Sequence, residues 1–204
     1  MFHVKQAGIR EVLQGLGLTP SDDEVDRLEA FEQILTSRGP EVGVVSAADV
    51  PRVMERHVLD SARAAAVLPE AGVAYDLGSG GGLPGIPVAI LRQDMQVVLV
   101  ERRSRRAGFL EWAVQELGIM NARVQAERIE SLPHGSADAC LARAFAPLEE
   151  SWAAARPLLR TGGTLVYFAG LSVHVPTGLP GASGVRTQAA EMLDSSGPLV
   201  IITR

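Results

Sequence analysis

Cysteine and lysine each occur once in this chain, as Cys140 and Lys5. A lone cysteine excludes an internal disulfide, and its place in the apolar run Ala139 to Ala142 points to a buried structural thiol rather than a nucleophile. The four histidines, His3, His57, His134 and His174, show no ligand-like pairing, so no metal site is expected. No stretch approaches the roughly 20 consecutive apolar residues of a membrane span. Met1 to Arg10 carries neither the apolar core nor the cleavage site of a secretory signal. A soluble, cytoplasmic protein with no membrane partner is expected. Basic charge is also short: the net charge is −5 and the pI is near 5.4. That argues against nonspecific nucleic-acid binding through a generally basic surface and leaves room for a local basic patch. With lysine nearly absent, arginine carries the positive charge, a bias that fits a GC-rich coding preference and by itself says nothing of function.

What the chain has is apolar content, 47% of 204 residues, enough for one domain with a real core and a short helical extension. Helical spacing runs from Gly8 to Arg38: Val12, Leu13 and Leu16, then Val25, Leu28, Phe31, Ile34 and Leu35, with Thr19-Pro20-Ser21-Asp22 as stop and start. Two short helices, a loop from Gly39 to Ser46 and a third helix from Ala47 to about Val67 are expected, the last ended by Pro69 and Gly72. The pattern then changes. Strand-like runs at Val73 to Leu77, Val97 to Val100, Ala122 to Gln125, Ala139 to Ala142 and Thr164 to Phe168 alternate with helical stretches at Gly85 to Leu91, Arg105 to Leu117 and Glu149 to Leu159. This βαβ series predicts an α/β fold, a mostly parallel sheet with helices on both faces, and a ligand at the carboxyl ends of the strands. Leu199 to Thr203 reads as an edge strand and Leu171 to Gly184 as a long surface loop. The expected division is a helical extension over residues 1–70 and a Rossmann-like core over 71–204 forming one compact unit.

The cofactor signature is Asp76-Leu77-Gly78-Ser79-Gly80-Gly81-Gly82-Leu83-Pro84-Gly85-Ile86-Pro87, which follows the first strand. Glycines let the backbone approach a ligand, and the next helix can point its amides at it. Gly80, Gly82 and Gly85 also satisfy the dinucleotide spacing GxGxxG, a weak signal alone. Asp76 discriminates, because a carboxylate there opposes a pyrophosphate and favours a cationic ligand end; S-adenosylmethionine, with its amino group and sulfonium, fits. Glu101 ends the second strand 23 positions after Gly78, where a ribose-binding acid belongs, unless it pairs with an arginine neighbour. Ile129 and Glu130 follow the third strand, at the place of the adenine. Arg102, Arg103, Arg105 and Arg106 form the densest basic cluster, either a solvated helix start or a phosphate contact for RNA. Arg143 ends the fourth strand, where substrates are met; a salt bridge to a nearby acid is the other reading.

With Arg56-His57-Val58-Leu59-Asp60-Ser61, the glycine-rich segment and Arg143-Ala144-Phe145-Ala146-Pro147-Leu148 in this order, the chain from about residue 25 to 170 resembles the bacterial 16S rRNA guanine-N7 methyltransferases of the RsmG group, also called glucose-inhibited division protein B. The resemblance implies a Rossmann-like, S-adenosylmethionine-dependent methyltransferase with a helical N-terminal extension, acting on a guanosine of 16S rRNA or the small ribosomal subunit; a monomer is expected, though the sequence does not fix the oligomeric state. It implies Asp76, Gly78, Ser79, Gly80, Gly82, Leu83, Glu101, Ile129, Glu130 and Arg143 as the cofactor-binding set. Arg143 is the catalytic candidate, holding the base or a phosphate, and His57 with Asp60 would brace the helix against the cofactor loop. Guanine N7 offers an in-plane lone pair and needs no deprotonation, so the lack of an obvious base fits a reaction governed by alignment. Three departures stand out. Gly43-Val44-Val45 replaces an Asn-Leu-Thr element, Ala169-Gly170 replaces Lys-Gly, and the segment after Gly170 is diverged. A diverged cofactor binder and a small-molecule methyltransferase are the alternatives.

Overall fold

The computed structural model describes residues 2–190, 192–193 and 196–204, with side chains from residue 8 onward, so Met1 and the side chains of His3 and Lys5 lie outside the described residues. Helices α1, Phe2–Gly15, and α2, Asp22–Val42, open the chain. Ser21 starts α2 with a reciprocal cap: its hydroxyl accepts from the Glu24 amide at 3.3 Å, and the Glu24 carboxylate accepts from the Ser21 amide at 2.7 Å. The helix passes through Gly39 and Pro40, so the loop expected from Gly39 begins only at Gly43, whose φ of 71° ends the helix. Gly39 belongs inside the helix for a packing reason, since a Cβ there would lie 3.1 Å from the Val45 side chain that returns across it.

Residues 50–66 form the expected third helix (α3), but a composite one. A 3-10 turn at Val50–Arg52 leads into π-helical turns at Met54–Leu59, an α-helical turn at Asp60–Ala62 and a 3-10 turn at Arg63–Ala66. Widened turns of this kind concentrate at functional sites, and here they carry His57.

Seven strands follow: β1 Gly72–Leu77, β2 Met95–Val100, β3 Ala122–Gln125, β4 Ala137–Arg143, β5 Leu159–Phe168, β6 Gly184–Gln188 and β7 Leu199–Thr203. They form one sheet in the order β3-β2-β1-β4-β5-β7-β6. The first five are parallel, and β7 runs antiparallel to both neighbours. β7 is therefore an inner strand. The edge belongs to β6, whose mostly polar Gly-Val-Arg-Thr-Gln carries no apolar run to reveal it. Helices α4 Gly85–Leu91, α5 Ser104–Glu116 and α6 Leu148–Ala155 connect the parallel strands.

Alternation along the strands divides the core. Ala74, Val97, Leu99, Leu141 and Val166 pack with the first five helices, while Tyr75, Leu77, Val98, Cys140 and Leu165 pack with Trp152 of α6. Helices cover both faces, as expected, but unequally. The β3 to β4 connection supplies only a 3-10 turn, Ile129–Ser131, and the irregular 171–183 segment completes the second face through Val175, Leu179 and Ala182. The Trp152 indole donates to the Pro180 carbonyl at 3.0 Å and ties that segment down. Cys140 is buried, and burial pushes its thiol pKa up. Among the described residues no helix is long and apolar enough to cross a membrane.

Candidate active site

Strand order reverses between β1 and β4: the chain builds outward from β1 to β3, then crosses to β4 on the other side. At such a switch point the carboxyl ends of the strands diverge and leave a crevice. The glycine-rich turn fills its floor. Gly82, at φ 86°, lies where a Cβ would come 2.5 Å from Ile86 Cδ1, and a Cβ on Gly85 would strike the Leu99 side chain and lie 2.6 Å from Asp76 Oδ2. These glycines are thus required by close packing of loop, helix and strand.

Asp76 is 1% exposed. Its Oδ2 accepts from the Gly85 amide at 3.0 Å and pins the start of α4 to β1, while Oδ1 is buried without a hydrogen-bond partner. Burial pushes its pKa up to about 7, against the opposing pull of the Ser79 hydroxyl, the Gly85 amide and the Arg143 charge. Ser79 donates its own hydroxyl to the Asp76 carbonyl at 3.1 Å. Glu101 is 5% exposed and spans the loop: Oε2 accepts from the Gly80 amide at 3.2 Å and Oε1 from the Arg103 amide at 2.9 Å. Among the described residues no guanidinium pairs with Glu101, so the arginine-pairing alternative is not what its geometry provides.

Arg143 meets the motif of α3. Its Nη2 donates to the Arg56 carbonyl at 2.9 Å and lies 2.8 Å from His57 Nδ1; its Nε lies 3.3 Å from Asp60 Oδ2. Nη1 makes only a long contact, 3.5 Å, to Ser61 Oγ. Asp60 Oδ1 also pairs with Arg63 Nη1 at 2.8 Å, and Arg63 in turn donates to the Gly197 carbonyl at 2.9 Å. His57 and Asp60 therefore hold Arg143, whereas the resemblance implied that they brace the helix against the cofactor loop. Burial and the Arg143 charge hold the His57 pKa below its ordinary value. Directly after Arg143, Ala144 adopts φ 51°, a strained conformation for a residue with a side chain.

A cavity of about 420 Å³ opens over these strand ends. Of the residues proposed from sequence, Gly78, Glu101, Ile129 and Glu130 line it. Asp76, Ser79, Gly80, Gly82, Leu83 and Arg143 lie outside its lining: Asp76, Ser79 and Gly82 are buried beneath the loop, and Leu83 packs on the core. Phe145 was not singled out in sequence, yet it lines the cavity and rests on Gly78, where a Cβ would lie 3.0 Å from its ring. Arg128 was missed as well, having no cluster around it in sequence. The arginine run divides in two. Arg105 and Arg106 donate to the Glu41 and Gly43 carbonyls at 2.7 and 2.8 Å and cap the end of α2, while Arg102 and Arg103 are exposed on the cavity rim, which Arg106 also reaches. Val44, from the segment that departs from the family pattern, supports the loop from below, 3.0 Å from a Cβ placed on Gly81. Ala169 is buried in the second-face cluster.

Residues 24–175 match the family model GidB, rRNA small subunit methyltransferase G. Among the similar proteins, the ribosomal RNA small subunit methyltransferase G of Kineococcus radiotolerans is 41% identical over 154 residues, 74% of this chain and 60% of that protein. The protein of the same name from Mycolicibacterium paratuberculosis is 35% identical over 189 residues, 83% of this chain and 76% of its own length. That from Neisseria meningitidis serogroup A is 34% identical over 172 residues, 83% and 81%. The chain thus spans 60% of the Kineococcus protein and larger shares of the other two. Among solved structures, M. jannaschii TYW2 in complex with AdoMet superposes with TM-score 0.59 at 14% identity, covering 76% of this chain and 78% of that one. A SAM dependent methyltransferase from Aquifex aeolicus gives 0.57 at 13%, covering 76% and 94%. At these identities the likeness is one of fold.

Proposed function

Because the chain belongs to the rRNA small subunit methyltransferase G family, we propose that it transfers the methyl group of S-adenosylmethionine to N7 of a guanosine in 16S ribosomal RNA. The observation that carries this reading is the crevice itself, where Gly78 of the glycine turn, Glu101 and the 129–130 turn meet at the carboxyl ends of the strands, with Arg143 at the end of β4 beside it. The residues present fit the cofactor. Asp76 Oδ1 is a buried acceptor with no partner, a polar atom that a native structure leaves unsatisfied only for a reason. It suits the cationic amino end of the ligand, directly or through a water. Each Glu101 oxygen accepts one amide bond, and a carboxylate offers about four acceptor sites, so capacity remains for both ribose hydroxyls. Ile129 and Phe145 offer apolar surface for an adenine ring beside Glu130. Gly78 and Gly80 bring backbone to the ligand, while Ser79, Gly82 and Leu83 hold the turn in shape.

When bound, S-adenosylmethionine supplies a methyl group activated by the sulfonium sulfur. The chain's own task is alignment and the exclusion of water, because N7 attacks through a lone pair and gives up no proton. Arg143 holds the guanine or a flanking phosphate through Nη1, the guanidinium nitrogen with donors to spare. The exposed Arg102, Arg103 and Arg128 contact RNA phosphates along the rim. The protein acts as a monomer in the cytoplasm and needs no metal.

The test is transfer of labelled methyl groups from S-adenosylmethionine to small ribosomal subunits lacking the N7 mark. Label recovered in guanosine is the expected result. No transfer, under conditions in which an intact relative methylates the same subunits, overturns the proposal.

A further inference from the structure

We infer that His57 and Asp60 are positioning residues for methyl transfer, fixing the Arg143 guanidinium so that Nη1 alone is left to address the RNA substrate. The inference rests on the methyltransferase reading above.

The geometry assigns each nitrogen a task. Both Nη2 donors are used, by the Arg56 carbonyl at 2.9 Å and His57 Nδ1 at 2.8 Å, and Nε faces Asp60 Oδ2 at 3.3 Å. Two neighbours on one helix therefore grip the guanidinium along its Nε edge and its outer nitrogen. Only the 3.5 Å contact to Ser61 engages Nη1. Because Arg143 can only donate, His57 Nδ1 must be the acceptor, which fixes the neutral ring with its proton on Nε2. The lowered pKa of His57 agrees with that state.

Stapling α3 to the rest of the fold does not require Arg143. The Arg63–Asp60 pair and the Arg63 bond to the Gly197 carbonyl already do that. Bringing Arg143 to the same carboxylate sets two poorly exposed guanidiniums, with side chains 17% and 2% exposed, against one anion, an arrangement that burial penalises. Arg143 sits at the end of β4, at the switch point, directly before the strained Ala144. Backbone strain and a poorly exposed guanidinium with one nitrogen weakly engaged, found together at a strand end, point to a group held for use on a ligand.

The decisive variants are His57→Ala and His57→Asn, since an Asn carbonyl oxygen can accept the bond that Nδ1 accepts. The readouts are kcat and KM for small subunits, the cofactor Kd by calorimetry, and Tm. His57→Ala is expected to lower kcat about 10- to 100-fold, with cofactor Kd and Tm close to those of the unmodified protein, and His57→Asn to recover most of kcat. Asp60→Asn is expected to lower kcat further; should it fail to fold, the histidine pair decides. Full kcat in His57→Ala overturns the positioning role. So does parallel loss of activity, cofactor binding and Tm in both His57 variants, which is the signature of a purely structural residue. Absence of transfer by the unmodified protein instead overturns the methyltransferase reading, so the two failures are distinct.

Discussion

Arginine does opposite work in two regions of this molecule. Beneath the end of β4, Arg63 and Arg143 are largely buried and held by Asp60, His57 and main-chain carbonyls. On the cavity rim, Arg102, Arg103 and Arg128 are exposed, and among the described residues their side chains make no ion pair or hydrogen bond within the chain. The same residue type therefore supplies position in one place and unspent charge in the other. Burial makes the difference: a guanidinium removed from water must be paired, whereas an exposed one stays solvated until a partner arrives. Loss of the shared carboxylate should thus act on stability in the first region, and loss of a rim arginine on encounter with RNA in the second.

Removing the shared anion makes the contrast largest. Asp60→Ala leaves two buried guanidiniums without their carboxylate and should cost about 3–5 kcal/mol of stability in urea unfolding. Arg102→Ala should stay within about 0.5 kcal/mol of the unmodified protein. Equal losses would show that the two regions do not differ as described. A second break targets the floor of the crevice. In Gly85→Ala the new methyl would press on Leu99 and Asp76 Oδ2, a small-to-large change in packed surroundings that should cost about 1–3 kcal/mol. Full stability in Gly85→Ala would show that the loop yields where the packing says it cannot.

The two regions were also unequally legible in the sequence. β1, β2 and β4 could be read because parallel strands buried on both faces are nearly continuous apolar runs, and the glycine turn because it follows one of them. Of the rim arginines, Arg102 and Arg103 were visible as part of a cluster and Arg128 was not. The partners of Arg143 were not, since Arg56, His57 and Ser61 lie 82 to 87 positions away in the chain and only the crossover from β3 to β4 brings them together. Local signals also misled. Gly39-Pro40 looks like a helix stop, yet the helix continues because Val45 packs where the Gly39 side chain would be. The π-helical turns of α3 have no local signature that spacing could reveal, and β6 is too polar to stand out as a strand.

Asp76 sharpens the comparison from inside the buried region, because it is only half satisfied. Its pKa is raised to about 7, so the folded state holds the proton more tightly than the unfolded chain. The resulting stability is fully present below the ordinary carboxylate pKa and is lost as pH rises through about 7, where the buried group must ionise. A ligand with a cationic end prefers the ionised form. Cofactor binding should therefore release a proton, and affinity should strengthen about tenfold between pH 6 and 8. Calorimetry in buffers of different ionisation enthalpy reads both effects, and Asp76→Asn should flatten the pH dependence. A Kd that is flat over this range in the unmodified protein would mean that the free Oδ1 does not face the ligand's charge.

The smallest effect belongs to the rim. If Arg102, Arg103 and Arg128 each meet a phosphate, affinity for the small subunit falls with salt, and each contact adds roughly 0.7 to 0.9 to the slope of log affinity against log salt. Arg102→Ala should weaken subunit binding and flatten that slope by about one contact's share, leaving cofactor Kd and Tm unchanged. Arg105→Ala serves as the control within the same run, because Arg105 is already spent on the Glu41 carbonyl at the end of α2. Its loss should lower Tm slightly and leave the salt slope alone. The two neighbours would then separate in opposite directions, one in binding and one in stability. If Arg105→Ala instead flattens the slope as much as Arg102→Ala, the division of the arginine run into structural and RNA-facing members fails.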